Sequence, residues 1–218
     1  MLVGNGFISN CLSGLCVSNE IAIYARGVSN SKEISEYECR RDLQEFKCFI
    51  KKQEFEKLFY LSSSDLSSYE PFSCYLSHKK DMEKIALSEA KCTVLRLPQI
   101  IGQGMGKYSL VTYFKRSILS KSPIEIWDSP LRYPINSNDL CYIFENILYK
   151  KNKRIVDIRP LYGLTPKQIL NLIDPKFHLY SEVKKDLKKV QDNKITYAYK
   201  SIKKLSQKNY CNSVIKLC

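Results

Sequence analysis

Short apolar runs alternate with longer amphipathic stretches along the whole chain, a pattern that predicts strands and helices in turn. Met1 to Val3, Ile21 to Ala25, Lys57 to Ser62 with its Leu58-Phe59-Tyr60-Leu61 run, Cys92 to Leu97 and Arg154 to Ile158 read as strands. Their apolar residues are continuous, as in strands of a parallel sheet covered on both faces. Between them, helical spacing predicts helices over Phe7 to Val17, 33–53 (Leu43, Phe46 and Ile50 on one stripe), 73–90 and about 108–120. Asn138 or Asp139 can cap a helix running to about Tyr149, and Thr165-Pro166 opens another in an Ncap–N1 arrangement. Strand–helix alternation of this kind calls for an α/β architecture, a doubly wound parallel sheet between two helical layers. The second half is less regular, with a flexible loop at Gly102–Gly106 and loop or short strand over Trp127 to Pro134.

Composition narrows the class of protein. At 218 residues, 44% apolar and 26% charged, the chain is long enough for one α/β domain with a proper core or a domain plus a small lobe. No run approaches the ~20 apolar residues of a membrane span. The first seventeen residues lack a basic leader, so they read as strand, turn and helix, not as a signal peptide. Nine cysteines occur with no C-x-x-C pair and only two histidines, which excludes metal-ligand spacing and fits reduced thiols of a cytoplasmic protein. The net charge of +13 is concentrated: residues 176–218 hold eleven lysines against three acids, and the other 175 residues carry only +5. Lys184, Lys185, Lys188 and Lys189 recur at helical spacing, so this tail reads as a solvated helix face ahead of a polyanion or membrane contact, and no specific nucleic-acid partner is expected.

Candidate chemistry changes the picture more. The first strand runs into Gly4-x-Gly6-x-x-Ser9, a turn that lets backbone approach a pyrophosphate. Leu61-Ser62-Ser63-Ser64-Asp65 ends the third strand, and twelve residues after Ser63 comes Tyr75, with Lys79 four residues further on. On a helix Tyr75 and Lys79 share a face, so the ammonium is expected to lower a phenol pKa of ~10 and prepare it for proton exchange, while Ser63 holds the reacting oxygen. Tyr-x-x-x-Lys alone arises easily in a chain with fifteen tyrosines and describes an ordinary helix face. Its position after a glycine turn and a serine strand gives it weight.

In order along the chain, Val3-Gly4-Asn5-Gly6-Phe7-Ile8, Leu61-Ser62-Ser63-Ser64, Tyr75-x-x-x-Lys79, Leu95-Arg96-Leu97-Pro98-Gln99-Ile100-Ile101-Gly102 and Arg132-Tyr-Pro-Ile-Asn-Ser-Asn-Asp139-Leu140 resemble the extended short-chain dehydrogenase/reductase superfamily, in its NAD-dependent epimerase/dehydratase branch. The resemblance implies an abbreviated Rossmann-like core over 1–124 and a small substrate lobe with a basic C-terminus over 125–218, whose elements can interleave with the core. It implies NAD or NADP as cofactor, along Gly4, Gly6, Phe7, Ile8, Ala25, Gly27, Lys79 and Pro98. Ser63, Tyr75 and Lys79 would be catalytic, and Ser64 and Arg132 would meet a nucleotide-sugar substrate, Arg132 through its phosphates. A homodimer through the helices at 33–53 and 73–90 is the common mode.

The chain departs from the resemblance by its shortness between the first helix and the helix of 33–53. If Ile21–Ala25 is the second strand of that fold, Arg26 would favour a 2′-phosphate and NADP. If it is the fourth, with the second and third deleted, Arg26 says nothing about the choice. A single acid, Asp65, follows the serines where dehydratases carry a pair, which favours an epimerase or ketosugar reductase of surface polysaccharide or glycan biosynthesis. The alternatives are a degenerate dinucleotide-binding scaffold or sensor, and a lysine-rich polyanion or membrane-surface binder.

Overall fold

The structure is a computed structural model, and it describes residues 1–30, 35–67, 73–127, 131–149, 153–160, 162–175, 181–184 and 197–199. The core is a parallel sheet of β1 (Leu2–Val3), β2 (Ile21–Tyr24), β3 (Lys57–Ser63), β4 (Cys92–Leu97), β8 (Ile155–Pro160) and β10 (Tyr197–Tyr199), in the order β1-β2-β3-β4-β8-β10. Side chains alternate across each strand. Ile21, Ile23, Phe59, Leu61, Leu95 and Leu97 enter one core with Leu12 and helix α5 (Leu140–Leu148). Ala22, Tyr24, Leu58, Tyr60 and Val94 enter the other with α2 (Glu36–Lys52) and α3 (Cys74–Ser88). The fold is thus the expected Rossmann-like α/β sandwich.

The first crossover is unusual in two ways. The predicted helix from Phe7 to Val17 is only α1 (Phe7–Cys11), because Leu12 leaves helical geometry and Ser13-Gly14 turn the chain back. Leu12–Glu20 then return directly to β2, beside β1. Since β2 lies between β1 and β3, it holds the place of the fourth strand in the 3-2-1-4-5-6 order, and among the described residues no strand lies beyond β1. The steps β1–β2, β2–β3 and β3–β4 all run the same way along the sheet, yet α1 packs on one face and α2 and α3 on the other. The α1 connection therefore has the opposite hand to its neighbours, although parallel crossovers are right-handed in about 98% of cases. α1 occupies the face suited to a strand on the far side of β1.

The remaining elements are α4 (Leu110–Leu119), α6 (Pro166–Ile173), a pair of β5 (Ile100–Ile101) with β7 (Ile135–Asn136), and a pair of β6 (Ile124–Trp127) with β9 (Ser181–Lys184). Most of them pack around a third core of Val111, Phe114, Ile124, Ile126, Ile169 and Leu170, which Ile101 of β5 joins. Ile100 of β5 and Ile135 of β7 enter the core with Leu12 and α5. Thr165 caps α6 with a full capping box to Gln168. Asp139 makes no capping bond at α5; the Asn136 side chain instead accepts from the Asn138 N–H at 2.8 Å. Lys184 stands at the end of strand β9, which corrects the expected helix there; Lys185, Lys188 and Lys189 lie outside the described residues.

Candidate active site

The C-terminal ends of adjacent parallel strands bring the proposed residues to one edge of the sheet, where ligands of open α/β sheets bind. β1 ends in Gly4–Gly6, β2 in Ala25–Gly27, β3 in Ser63 and β4 in Pro98. Gly4 has φ +136°, and a Cβ there would lie 2.5 Å from the Ala25 carbonyl oxygen, so the first two strand ends are in close contact. Among the described residues nothing comes within 4 Å of where a Cβ on Gly6 would sit, which leaves that turn's backbone open to a ligand. Phe7 lies under the Gly102–Gly104 loop, and Ile8 packs into the α1–α5 core.

The Ser73 side chain caps α3, accepting from the Leu76 N–H at 3.3 Å, and sets Tyr75 in the first turn beside Ser63. The Ser63 hydroxyl stands beside the Tyr75 phenol, where it favours the ionised form, and accepts from the Asp65 N–H at 3.2 Å. Ser64 is buried, and its carbonyl accepts from Arg159. Lys79, one turn along α3, is 6% exposed, with its ammonium 5.8 Å from the ring centroids of both Tyr60 and Tyr75.

The charge balance corrects one expectation. Burial pushes the Tyr75 phenol well above its ordinary value, Asp65 and Asp42 add to that, and the Ser63 hydrogen bond opposes it. Burial also lowers the Lys79 ammonium, against the pull of Asp42 and Glu83. The lysine's charge is met by two carboxylates, so it does not leave the net positive field at Tyr75 that would favour a phenolate. Tyr75 holds its proton at neutral pH.

Sequence reasoning missed Asp42, which is 1% exposed on α2. One oxygen accepts from the Val28 N–H at 3.0 Å and meets His78 Nε2 at 2.9 Å, while Oδ1 has no hydrogen-bond partner among the described residues. A Cβ on Gly27, at φ +123°, would sit 2.6 Å from this carboxylate, so only glycine lets the loop close over it. Asp42 thus ties the loop after β2 to the helix carrying Tyr75 and Lys79. Its position four residues before Phe46, on the buried stripe, was the available signal. Burial alone would raise its carboxyl, but His78, Lys79 and the Val28 N–H outweigh that and hold it below the usual range. A depressed folded pKa gives stability that is present above the unfolded value of about 4 and lost as pH falls through the folded one. Asp42→Asn, which cannot titrate, should therefore show a flatter acid limb than the parent when urea midpoints are compared between about pH 6 and pH 3. Equal limbs would mean that Asp42 does not supply this dependence.

A second buried network lies behind the serines. Glu83 pairs bidentately with Arg96 at 2.9 and 2.7 Å; Arg96 and Asp157 both bond the Ser67 hydroxyl, at 2.9 and 2.6 Å. Arg159, 2% exposed, closes on both oxygens of Asp157 at 3.1 Å and lies over the Tyr133 ring. Asp65, in the 3-10 turn Ser64–Ser67, is 3.7 Å from Arg132; burial raises its carboxyl, and Arg132 and Arg159 pull it back. Arg26 is bound to Glu45 at 2.9 Å. Among the described residues no cluster of three or more His, Cys, Asp or Glu side chains could hold a metal, and no helix is long and apolar enough to cross a membrane.

No family model and no curated protein matches this chain. Solved structures do share its Rossmann-like fold. One is the dTDP-glucose 4,6-dehydratase of Bacillus anthracis in complex with NAD, 14% identical over 83% of this chain and 64% of that one, with a TM-score of 0.62. Another is the UDP-glucose 4-epimerase of Thermotoga maritima with UDP-glucose, 17% identical over 91% and 76%, TM-score 0.62. RMD from Pseudomonas aeruginosa complexed with NADPH is 13% identical over 90% and 80%, TM-score 0.61. The chain spans less than two thirds of the length of the first. Its fold is that of the NAD-dependent sugar-nucleotide epimerases and dehydratases.

Proposed function

We propose that this chain is a nicotinamide-dependent oxidoreductase acting on a nucleotide sugar. Epimerase or ketosugar reductase chemistry in surface polysaccharide or glycan synthesis fits better than dehydration. The observation that carries the reading is the placement of Ser63 and Tyr75 side by side with Lys79 buried one turn away, at the carboxyl edge of a parallel sheet. Gly4, Gly6, Phe7 and Ile8 would line the cofactor's pyrophosphate, and Ala25, Gly27, Pro98 and Lys79 its nicotinamide ribose. When bound, the cofactor supplies hydride exchange with a sugar carbon. The protein's part is proton and position. In the ketosugar-reducing direction Tyr75 enters as a phenol and gives its proton to the carbonyl oxygen as hydride reaches the carbon, leaving a phenolate. Ser63 would hold that oxygen. In the reverse direction the phenolate would take the proton back from the sugar hydroxyl, with the Lys79 ammonium one turn away offsetting part of its charge. Arg132, paired with Asp65 at the substrate side, would turn to the substrate's phosphates, and Ser64 would back it. A homodimer through α2 and α3 in the cytoplasm belongs to the same reading.

The test is direct. The purified chain should bind an oxidised or reduced nicotinamide nucleotide below about one millimolar and, with it, interconvert or reduce a panel of UDP-, GDP- and dTDP-sugars. Absence of any binding at that concentration would sink the proposal. Binding without turnover would favour a non-catalytic sensor of the same fold, a second reading supported by β1 being the terminal strand among the described residues.

A further inference from the structure

We propose that the chain holds the cofactor by its nicotinamide nucleotide half alone, leaving the adenosine end in solvent. The inference rests on the function proposed above and deepens it. A dinucleotide lies across the point where the strand order of a doubly wound sheet reverses, so each half has strands beneath it, and an acid at the end of the second strand holds the adenosine ribose. In this sheet β1 is the terminal strand, and the order from β1 through β2 to β4 never reverses among the described residues. Leu12–Glu20 pass directly from α1 to β2 and place no strand on the far side of β1. Glu20, the nearest acid after the glycines, is exposed at the opposite end of β2, where its carbonyl accepts from Glu56 and Lys57. Arg26, the residue that could read a 2′-phosphate, is engaged by Glu45 and stands on the nicotinamide side of β1. The half that the sheet does provide is the other one: the loop 25–28 clamped by Asp42, the Ser63–Tyr75 pair, Lys79 and Pro98.

The consequence is a site indifferent to the groups beyond the nicotinamide nucleotide's own phosphate. Nicotinamide fluorescence titrations of the full chain with NADH, NADPH and reduced nicotinamide mononucleotide should give dissociation constants within about fivefold of one another. AMP in about tenfold excess over NADH should displace none of the bound NADH. NADH or NADPH binding more than about fivefold tighter than the mononucleotide, or displacement by AMP, would overturn the inference while leaving the proposed function intact. Failure of all three nucleotides to bind overturns both.

Discussion

Tyr75→Phe is expected to lower turnover of the sugar nucleotide by about 10² to 10⁴-fold while leaving nicotinamide nucleotide affinity unchanged. The substitution removes one hydroxyl beside the Ser63 side chain, and the ring's packing beside Lys79 stays. A loss confined to kcat is the signature of an interaction made in the transition state. The pH profile gives a second readout. Tyr75 loses its proton only well above the ordinary phenol value, whereas burial brings the Lys79 ammonium below its ordinary ~10.4. The alkaline limb of the parent should therefore follow Lys79, and Tyr75 should contribute no downturn between about pH 6 and pH 9. Parental turnover in Tyr75→Phe would show that the proton travels by another group.

The largest effect on stability is expected at Asp157. Asp157→Ala leaves the Arg159 guanidinium, 2% exposed, without the carboxylate that binds it through two nitrogens. Breaking a buried pair from one side typically costs about 3–5 kcal/mol, because the remaining charge is desolvated without compensation. For a chain of this size each kcal/mol lowers the thermal midpoint by about 2–4 °C. The double variant Asp157→Ala, Arg159→Met removes both charges and should recover a large part of the loss in urea denaturation. A single-variant loss under about 1 kcal/mol would mean that water already reaches the pair. The Ser67 hydroxyl bonds Asp157, and the Ser64 carbonyl accepts from Arg159, so the same substitution loosens the turn directly behind Ser63.

Much of this architecture is legible in local pattern. Each apolar run Ile21–Ala25, Leu58–Leu61 and Cys92–Leu97 became a parallel strand, because only a sheet covered on both faces can bury consecutive apolar side chains. Thr165-Pro166 opened a helix, since a capping side chain and a preset φ act within one turn. The i, i+4 spacing alone puts Tyr75 and Lys79 on one face of α3.

Features that the sequence could not decide depend on partners far along the chain. Asp42 meets His78 across 36 positions, and Ser67 meets Asp157 across 90; neither pairing leaves a local periodicity. The protonation of Tyr75 turns first on its burial and then on Asp65 and Asp42, and only packing sets how deep the ring lies and how near those charges stand. Strand order, likewise, depends on the face on which each helix finds apolar cover. The sequence by itself determined the kind of elements, their succession and the spacing of Tyr75 from Lys79, because these are fixed by dihedral preference and side-chain period. Only folding settled that β2 lies between β1 and β3, that β1 is the terminal strand among the described residues, and that Tyr75 keeps its proton, because each is a balance of burial and charge among residues brought together in space.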